Sequence, residues 1–388
     1  MRFIFSCGST FISQEVRSCD LLSTKFISKI ASKSSFETNL IAPGAAICLT
    51  ALLMSMRHQS LRRKAIQMLL LATVFWGMSF PTMKSVVMVQ QQLLPNASTW
   101  FFTALGVTVR FGTALLIMLF WSWSTVRRMS RLELWQGLGL GLFGGAGLIF
   151  QMHGLAYTSA SVSAFLTQCY CLSLPIFVAV RDRRWPSPVL MASCAMVILG
   201  VAVLAGVDWQ SMKLGRGEWE TLIGSVLFTG QILWLERPMF AQNNVNHFTL
   251  VMFAVIALMA APISLLTMQH PQDLLMACSS PAVVGFMAIL VVLCTMISYV
   301  AMNYWQRFVP ATEAGLIYCV EPVFASLFAL FLPGWFSIAG GFAYANESVT
   351  TNLLIGGGLI TVANVLLQIR NAQEERPSEA REELLERR

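Results

Sequence analysis

Ten apolar stretches, each about twenty residues long, follow one another between residues 65 and 369. They lie at 65–84, 99–121, 134–153, 159–180, 187–206, 219–236, 248–268, 282–304, 311–332 and 351–369. About 20 mainly apolar residues suffice to cross about 30 Å of hydrocarbon. Backbone groups in lipid must be satisfied within their own segment, which makes each stretch a helix. The alternating pattern of a transmembrane barrel is absent. Only 12% of the chain is charged, about half the share in a soluble domain. The expected fold is an all-α membrane protein with ten transmembrane helices.

The net charge of +7 would suggest nucleic acid in a soluble protein. Here no nucleic-acid partner is expected, because the cations sort by loop. With a cytoplasmic N-terminus, the inner segments hold Arg62, Arg63 and Lys64, then Arg127, Arg128 and Arg131, then Arg181, Arg183 and Arg184, and finally Arg237, Arg307 and Arg370. The outer loops hold Lys213 and Arg216, with Lys84 at the outer end of the first span. This is the asymmetry of the positive-inside rule. A miscounted span would scramble it, so it supports both the number of spans and cytoplasmic termini. Tryptophans such as Trp100, Trp121, Trp135, Trp219 and Trp305 mark span ends, as an aromatic belt does. Trp76 and Trp234 fall inside spans instead.

The chain also repeats itself faintly. "VFWGMSF" (74–80) aligns with "LFTGQIL" (227–233), and "AYTSASVSAFL" (156–166) with "RFVPATEAGLI" (307–317). Each of the latter leads into a helix with a proline, Pro175 or Pro322. Five spans per half invert the second half, giving two five-helix inverted-topology repeats, an arrangement common in transporters. The expected organisation is an N-terminal extension (1–63), a first repeat (64–206), a second repeat (216–369) and a charged cytoplasmic tail (370–388). The extension reads as weakly ordered, with Met54 or Met56 as an alternative start.

Of the nine cysteines, most lie in apolar runs and read as small buried hydrophobes. Cys169-Tyr170-Cys171 lacks a second pair at zinc spacing, so no metal and no cofactor is expected. "GLGLGLFGGAG" (137–147) and "IGGG" (355–358) imitate nucleotide loops. They follow no strand and lie in apolar helices, where small residues serve close helix packing.

"FWGMSFPTMK" (75–84), "VRFGTALL" (109–116), "AYTSASVSAFLTQCYCLSLPIF" (156–177), "PATEAGLIYCVEPVFASLFA" (310–329) and "IGGGLITVANVLL" (355–367) resemble the drug/metabolite transporter superfamily, in its EamA branch. The resemblance covers about residues 64–369. It implies a ten-helix secondary transporter with two EamA repeats in a prokaryotic inner membrane, moving small metabolites, often outward. It also implies a Gly-Glu pair after the fourth and ninth helices. The first position reads Arg181-Asp182-Arg183, and Asn346-Glu347 stands as a displaced equivalent of the second.

Candidate site residues follow from depth. Glu321 lies about ten residues into its span, about 15 Å deep at 1.5 Å per residue. Ionisable groups there face a cavity or a partner. Pro322 withholds a donor and disturbs the Tyr318 carbonyl, so a kinked helix with a free carbonyl is expected. Glu321 either meets substrate or a proton, or fixes helix packing; both readings stay open. Arg110, midway along the second span, needs a carboxylate, backbone carbonyls or an anionic substrate. Gln151, Gln168, Gln231 and Asn303 either join helices or line a cavity. Trp76, Tyr170, Trp234 and Tyr299 are candidate cavity walls. Lys84, Arg110, Glu313, Pro175 and Pro322 are assigned structural or coupling roles.

Transport by alternating access is the leading reading, with a small amino-acid-like or amphiphilic substrate and export as the direction. Proton coupling through Glu321 is an option that rests on that residue alone. Flipping of a lipid-linked substrate is the runner-up. An intramembrane enzyme or a sensor ranks behind both: His153 is the sole histidine within the spans, no nucleophile–base set shares a helix face, and the tail is too short for an output domain. The chain would act in the bilayer as a monomer or homodimer.

Overall fold

The computed structural model describes residues 43–181, 183, 188–204, 214–235, 237–309, 314 and 317–386. The chain divides into two compact units, Met1–Leu61 and Arg62–Arg388. Of the first, residues 43–61 are described, and they are helical. The second unit carries the rest of the account.

Helices form the described chain, and no strand occurs among the described residues. They are α1 (Pro43–Leu93), α2 (Thr99–Val126), α3 (Arg131–Leu155), α4 (Ala160–Thr167), α5 (Tyr170–Arg181), α6 (Pro188–Leu204) and α7 (Arg216–Leu235). Then come α8 (Val245–Thr267), α9 (Gln272–Ser279), α10 (Pro281–Val291), α11 (Ser298–Trp305), α12 (Glu321–Ala329), α13 (Leu332–Gly340) and α14 (Thr351–Glu386). A π-helical segment, Val292–Ile297, joins α10 to α11. Every apolar stretch expected to span contains helix. Among the described residues, five helices are long and apolar enough to cross a membrane, and α12 with α13, bent by 50° at their junction, would make a sixth. The other apolar stretches form shorter helices, such as Pro188–Leu204.

Short polar turns set the boundaries. Ser98 accepts from Phe101 N, Ser159 from Val162 N, and Ser130 forms a capping box with Glu133. Each supplies an acceptor for amides that a helix start leaves unpaired. The burial pattern is inverted relative to a soluble protein. Phe120, Leu266 and Ile338 are at least 85% exposed, whereas Arg110, His153, Gln168 and Glu321 are buried. Apolar side chains outward and polar ones inward suit a lipid solvent, and the chain is an integral membrane protein.

Glycines bring the helices together, as the glycine runs suggested. A Cβ at Gly224 of α7 would lie 2.8 Å from the Gly147 carbonyl of α3, and one at Gly154 would lie 2.6 Å from the Gly217 carbonyl. Gly356 of α14 meets the Gly200 carbonyl of α6 in the same way, at 2.7 Å.

The fourth and ninth stretches depart from expectation. Neither is a continuous helix. The fourth is interrupted at Gln168-Cys169, between α4 and α5, and the ninth at Cys319-Val320, before α12. Pro322 does not kink a running helix. It occupies the first turn of α12, where its missing N–H costs nothing. The turn ahead of it is closed by Val320 N donating to Ile317 O at 3.2 Å.

Candidate functional site

The two interruptions face each other. Gln168, the residue after α4, donates from Nε2 to Glu321 Oε2 at 2.9 Å. Cys171 and Cys319 lie with their sulfurs 3.8 Å apart. Asn364 of α14 donates to the Gln168 carbonyl at 3.4 Å, beside the Cys171 N–H that reaches the same carbonyl at 3.0 Å. Gln168 and Glu321 are both buried. Among the described residues no cationic side chain is hydrogen-bonded to Glu321.

Aromatic rings wall this junction. Trp76 of α1 lies 5.6 Å from Tyr299 and 5.6 Å from Tyr318, centroid to centroid. Phe111 and Phe253 extend the wall behind Tyr299, each 6.1 Å from it. Gly77, beside Trp76, lets α1 approach α12: a Cβ there would lie 3.1 Å from the Glu321 carbonyl. Trp76 Nε1 is buried and has no hydrogen-bond partner. An orphaned donor in an aromatic wall is a contact that a polar ligand could complete. Tyr170 is buried at the first position of α5.

Other sequence candidates lie elsewhere. Gln231 and Trp234 pack into the glycine face of α3, where a Cβ at Gly144 would meet Gln231 and one at Gly139 would meet Trp234. Trp234 Nε1 donates to Trp135 O at 3.3 Å. Gln151 donates to Thr167 Oγ1 at 2.8 Å, tying α3 to α4. Asn303 donates to Thr249 Oγ1 at 2.8 Å, tying α11 to α8. Arg110 is sealed between helices: its Nε donates to Thr295 Oγ1 at 2.5 Å, Nη2 to Cys294 O at 2.9 Å, and Nη1 faces Met83 Sδ at 3.3 Å. Of the three partners the sequence offered it, the backbone carbonyl is the one present. Glu313 and the side chain of Pro175 lie outside the described residues.

At the ends of the helices that carry Lys84 and Arg216, polar contacts close the molecule. Lys84 Nζ donates to Thr158 O. Glu347 accepts from Ala160 N at 2.7 Å and Ser161 N at 3.4 Å, at the start of α4. Glu218 accepts from Thr158 Oγ1 at 2.8 Å. His153 meets Glu220 at 2.5 Å, and Arg216 holds that carboxylate's other oxygen at 2.9 Å. Burial pushes the Tyr344 phenol well above its ordinary range, and the Glu347 carboxylate adds to the push. At the opposite end a cavity of about 370 Å³ opens, bordered by Arg237, Arg307, Gln306 and Asn303.

Sequence reasoning missed the Tyr318 ring and, apart from Asn303, the groups around this cavity. Tyr318 faces Trp76, and its hydroxyl donates to Gln306 Oε1 at 3.0 Å. The signal existed: Tyr318-Cys319 repeats Tyr170-Cys171 ahead of each proline.

Residues 63–206 match the EamA-like transporter family. These residues are similar to that family. They span α2 to α6 and all but the first part of α1, so Trp76, Arg110 and Gln168 lie within the matched region. An uncharacterized transporter of Archaeoglobus fulgidus is 24% identical over 307 residues, 78% of this chain and 85% of its own length. A solved structure described as the crystal structure of a protein covers 78% of this chain and 98% of its own, at 17% identity and a TM-score of 0.45. That likeness is too loose to argue from. The apolar helices make the chain a membrane protein, and residues 63–206 are similar to a transporter family.

Proposed function

We propose that the chain is a secondary transporter that exports small metabolites by alternating access, with its substrate cavity at the junction of the two interrupted helices. The observation that carries this is the meeting of Gln168 and Glu321 at paired breaks. Transporters use discontinuous helices to expose backbone and polar groups near the bilayer midplane. Irregular backbone at such depth is tolerated where it is buried in protein or lines a cavity.

The packing supports ten spans in two inverted repeats. Such a repeat exchanges each span with the one five positions later. The second and seventh spans, α2 and α8, pack together, as do the fifth and tenth, α6 and α14. The fourth meets the sixth through α4 and α7, and its counterpart contact, ninth to first, runs through Gly77 and α12. The third meets the sixth through glycines, and the eighth meets the first through Tyr299 and Trp76. With both termini cytoplasmic in a prokaryotic inner membrane, the closed polar end is outer and the open cavity inner. Glu321 would then meet an amino group of the substrate or a coupling proton from the inside.

Export from cells overproducing candidate amino acids tests this. Wild type should lower the internal pool, and Glu321→Gln should abolish the effect while remaining as abundant in the membrane. Normal export by an abundant Glu321→Gln protein would remove Glu321 from the mechanism. Loss of the folded protein would instead assign the carboxyl to helix packing.

A further inference from the structure

We propose that the cavity bounded by Arg237 and Arg307 is a second binding site, which takes an organic anion with an apolar body and a hydrogen-bond donor beside its charge. Its position on a transport route rests on the reading above; its binding chemistry does not.

The charge comes first. Arg237 and Arg307 both border the cavity of about 370 Å³, a size suited to a small organic ligand. Arg237 lies over the Trp234 ring at 4.0 Å and Arg307 beside the Tyr304 ring at 5.4 Å. Rings that steady a guanidinium leave its edge donors for a carboxylate or phosphate. Neither arginine is paired with a carboxylate among the described residues. Glu133, on the same end of α3 as the lining residue Gln136, is already engaged by Ser130 N, Asn244 N and His247 Nδ1, at 2.7, 2.9 and 3.0 Å. Among the described residues, no carboxylate is hydrogen-bonded to either of the cavity's two positive charges.

The rest of the lining defines the remainder of the ligand. Leu235, Phe240, Phe248 and Val309 offer apolar walls. Asn303, a lining residue only 6% exposed, spends its amide N–H on Thr249 and leaves Oδ1 buried without a partner. A buried orphaned acceptor calls for a donor. A carboxylate carrying an adjacent hydroxyl on an apolar chain meets all three requirements.

An anionic lipid headgroup shares part of this chemistry, so the test separates the sources. Purified full-length protein in phosphatidylcholine nanodiscs is titrated with phenyllactate, phenylpropionate and phenyllactamide, reading binding by calorimetry and the thermal unfolding midpoint. Phenyllactate should bind best, phenylpropionate more weakly for want of its hydroxyl, and the uncharged amide least. Arg237→Gln combined with Arg307→Gln should weaken phenyllactate by roughly tenfold or more, as expected for charge-assisted bonds. Both arginines are exposed, so the variant should fold, and an unchanged midpoint without ligand checks that. Equal binding of acid and amide, or phenyllactate binding that survives the double variant, would overturn the proposal. So would stabilisation by phosphatidylglycerol nanodiscs alone that requires both arginines, with no response to phenyllactate; the cavity would then be a headgroup anchor. Each of these failures leaves the Glu321 export test untouched, and failure of that test leaves the binding order here intact.

Discussion

Arg110 is a permanent charge among helices, with a carbonyl, a hydroxyl and a thioether as partners. The carbonyl belongs to the π-helical segment, whose wider turn alters the backbone pairing there. Replacing Arg110 with Met would deprive the Cys294 carbonyl and the Thr295 hydroxyl of a charged donor. That should cost about 1.5–3 kcal/mol, the range for hydrogen bonds to a charged group, and appear as a lower unfolding midpoint in detergent. Arg110→Met at wild-type stability would contradict the assignment. The sequence identified Arg110 as a residue that must be satisfied but could not say by what, since Thr295 and Cys294 lie 185 and 184 positions away. Glu321 was legible as a buried carboxyl and Gln168 as a buried amide. Their contact was not, because it depends on two chain interruptions that apolar runs conceal. Gln231 and Trp234 show the converse: polarity and aromaticity within a span mark burial, and here they pack on glycines.

Helix contacts are set by those glycines, which were readable as packing sites from their runs alone. Which partner each one meets was not readable, because a glycine names no neighbour. Gly224→Val should push α7 off α3, costing about 1–3 kcal/mol as overpacking does, since its Cβ would sit 2.8 Å from a backbone carbonyl. Gly112→Ala, where nothing lies within 4 Å, should instead be neutral or stabilise by about 0.4–1 kcal/mol. Thermal unfolding of both variants in one detergent checks the contrast, and equal effects would refute the packing account. Glu347 works on the same scale. It closes the start of α4, and Glu347→Ala should cost about 1 kcal/mol, typical of a lost cap, with faster exchange of the Ala160 and Ser161 amides as the specific readout. The displaced Asn346-Glu347 was visible in the sequence; its distant target was not.

For the whole molecule, hydropathy and loop charge placed helix in each of the ten apolar stretches, because a lipid solvent leaves the backbone little choice, but they gave no sign of α9 or of most of α13. They did not locate the interruptions at 168–169 and 319–320, where tight turns such as Cys171 N to Gln168 O and Val320 N to Ile317 O stand in place of regular helical bonds. A reporter fused after Arg370 should be active only in the cytoplasm if ten spans hold, and a periplasmic signal would overturn that count. The account's central claim is transport through the junction of Gln168 and Glu321. Its most direct test is exchange by the purified protein in phosphatidylcholine vesicles preloaded with a mixture of unlabelled amino acids, followed by uptake of each labelled one. The account predicts saturable uptake of at least one labelled amino acid, driven by the preload and lost in Glu321→Gln at equal incorporation. Uptake no greater than in protein-free vesicles, or full exchange by Glu321→Gln, would contradict it.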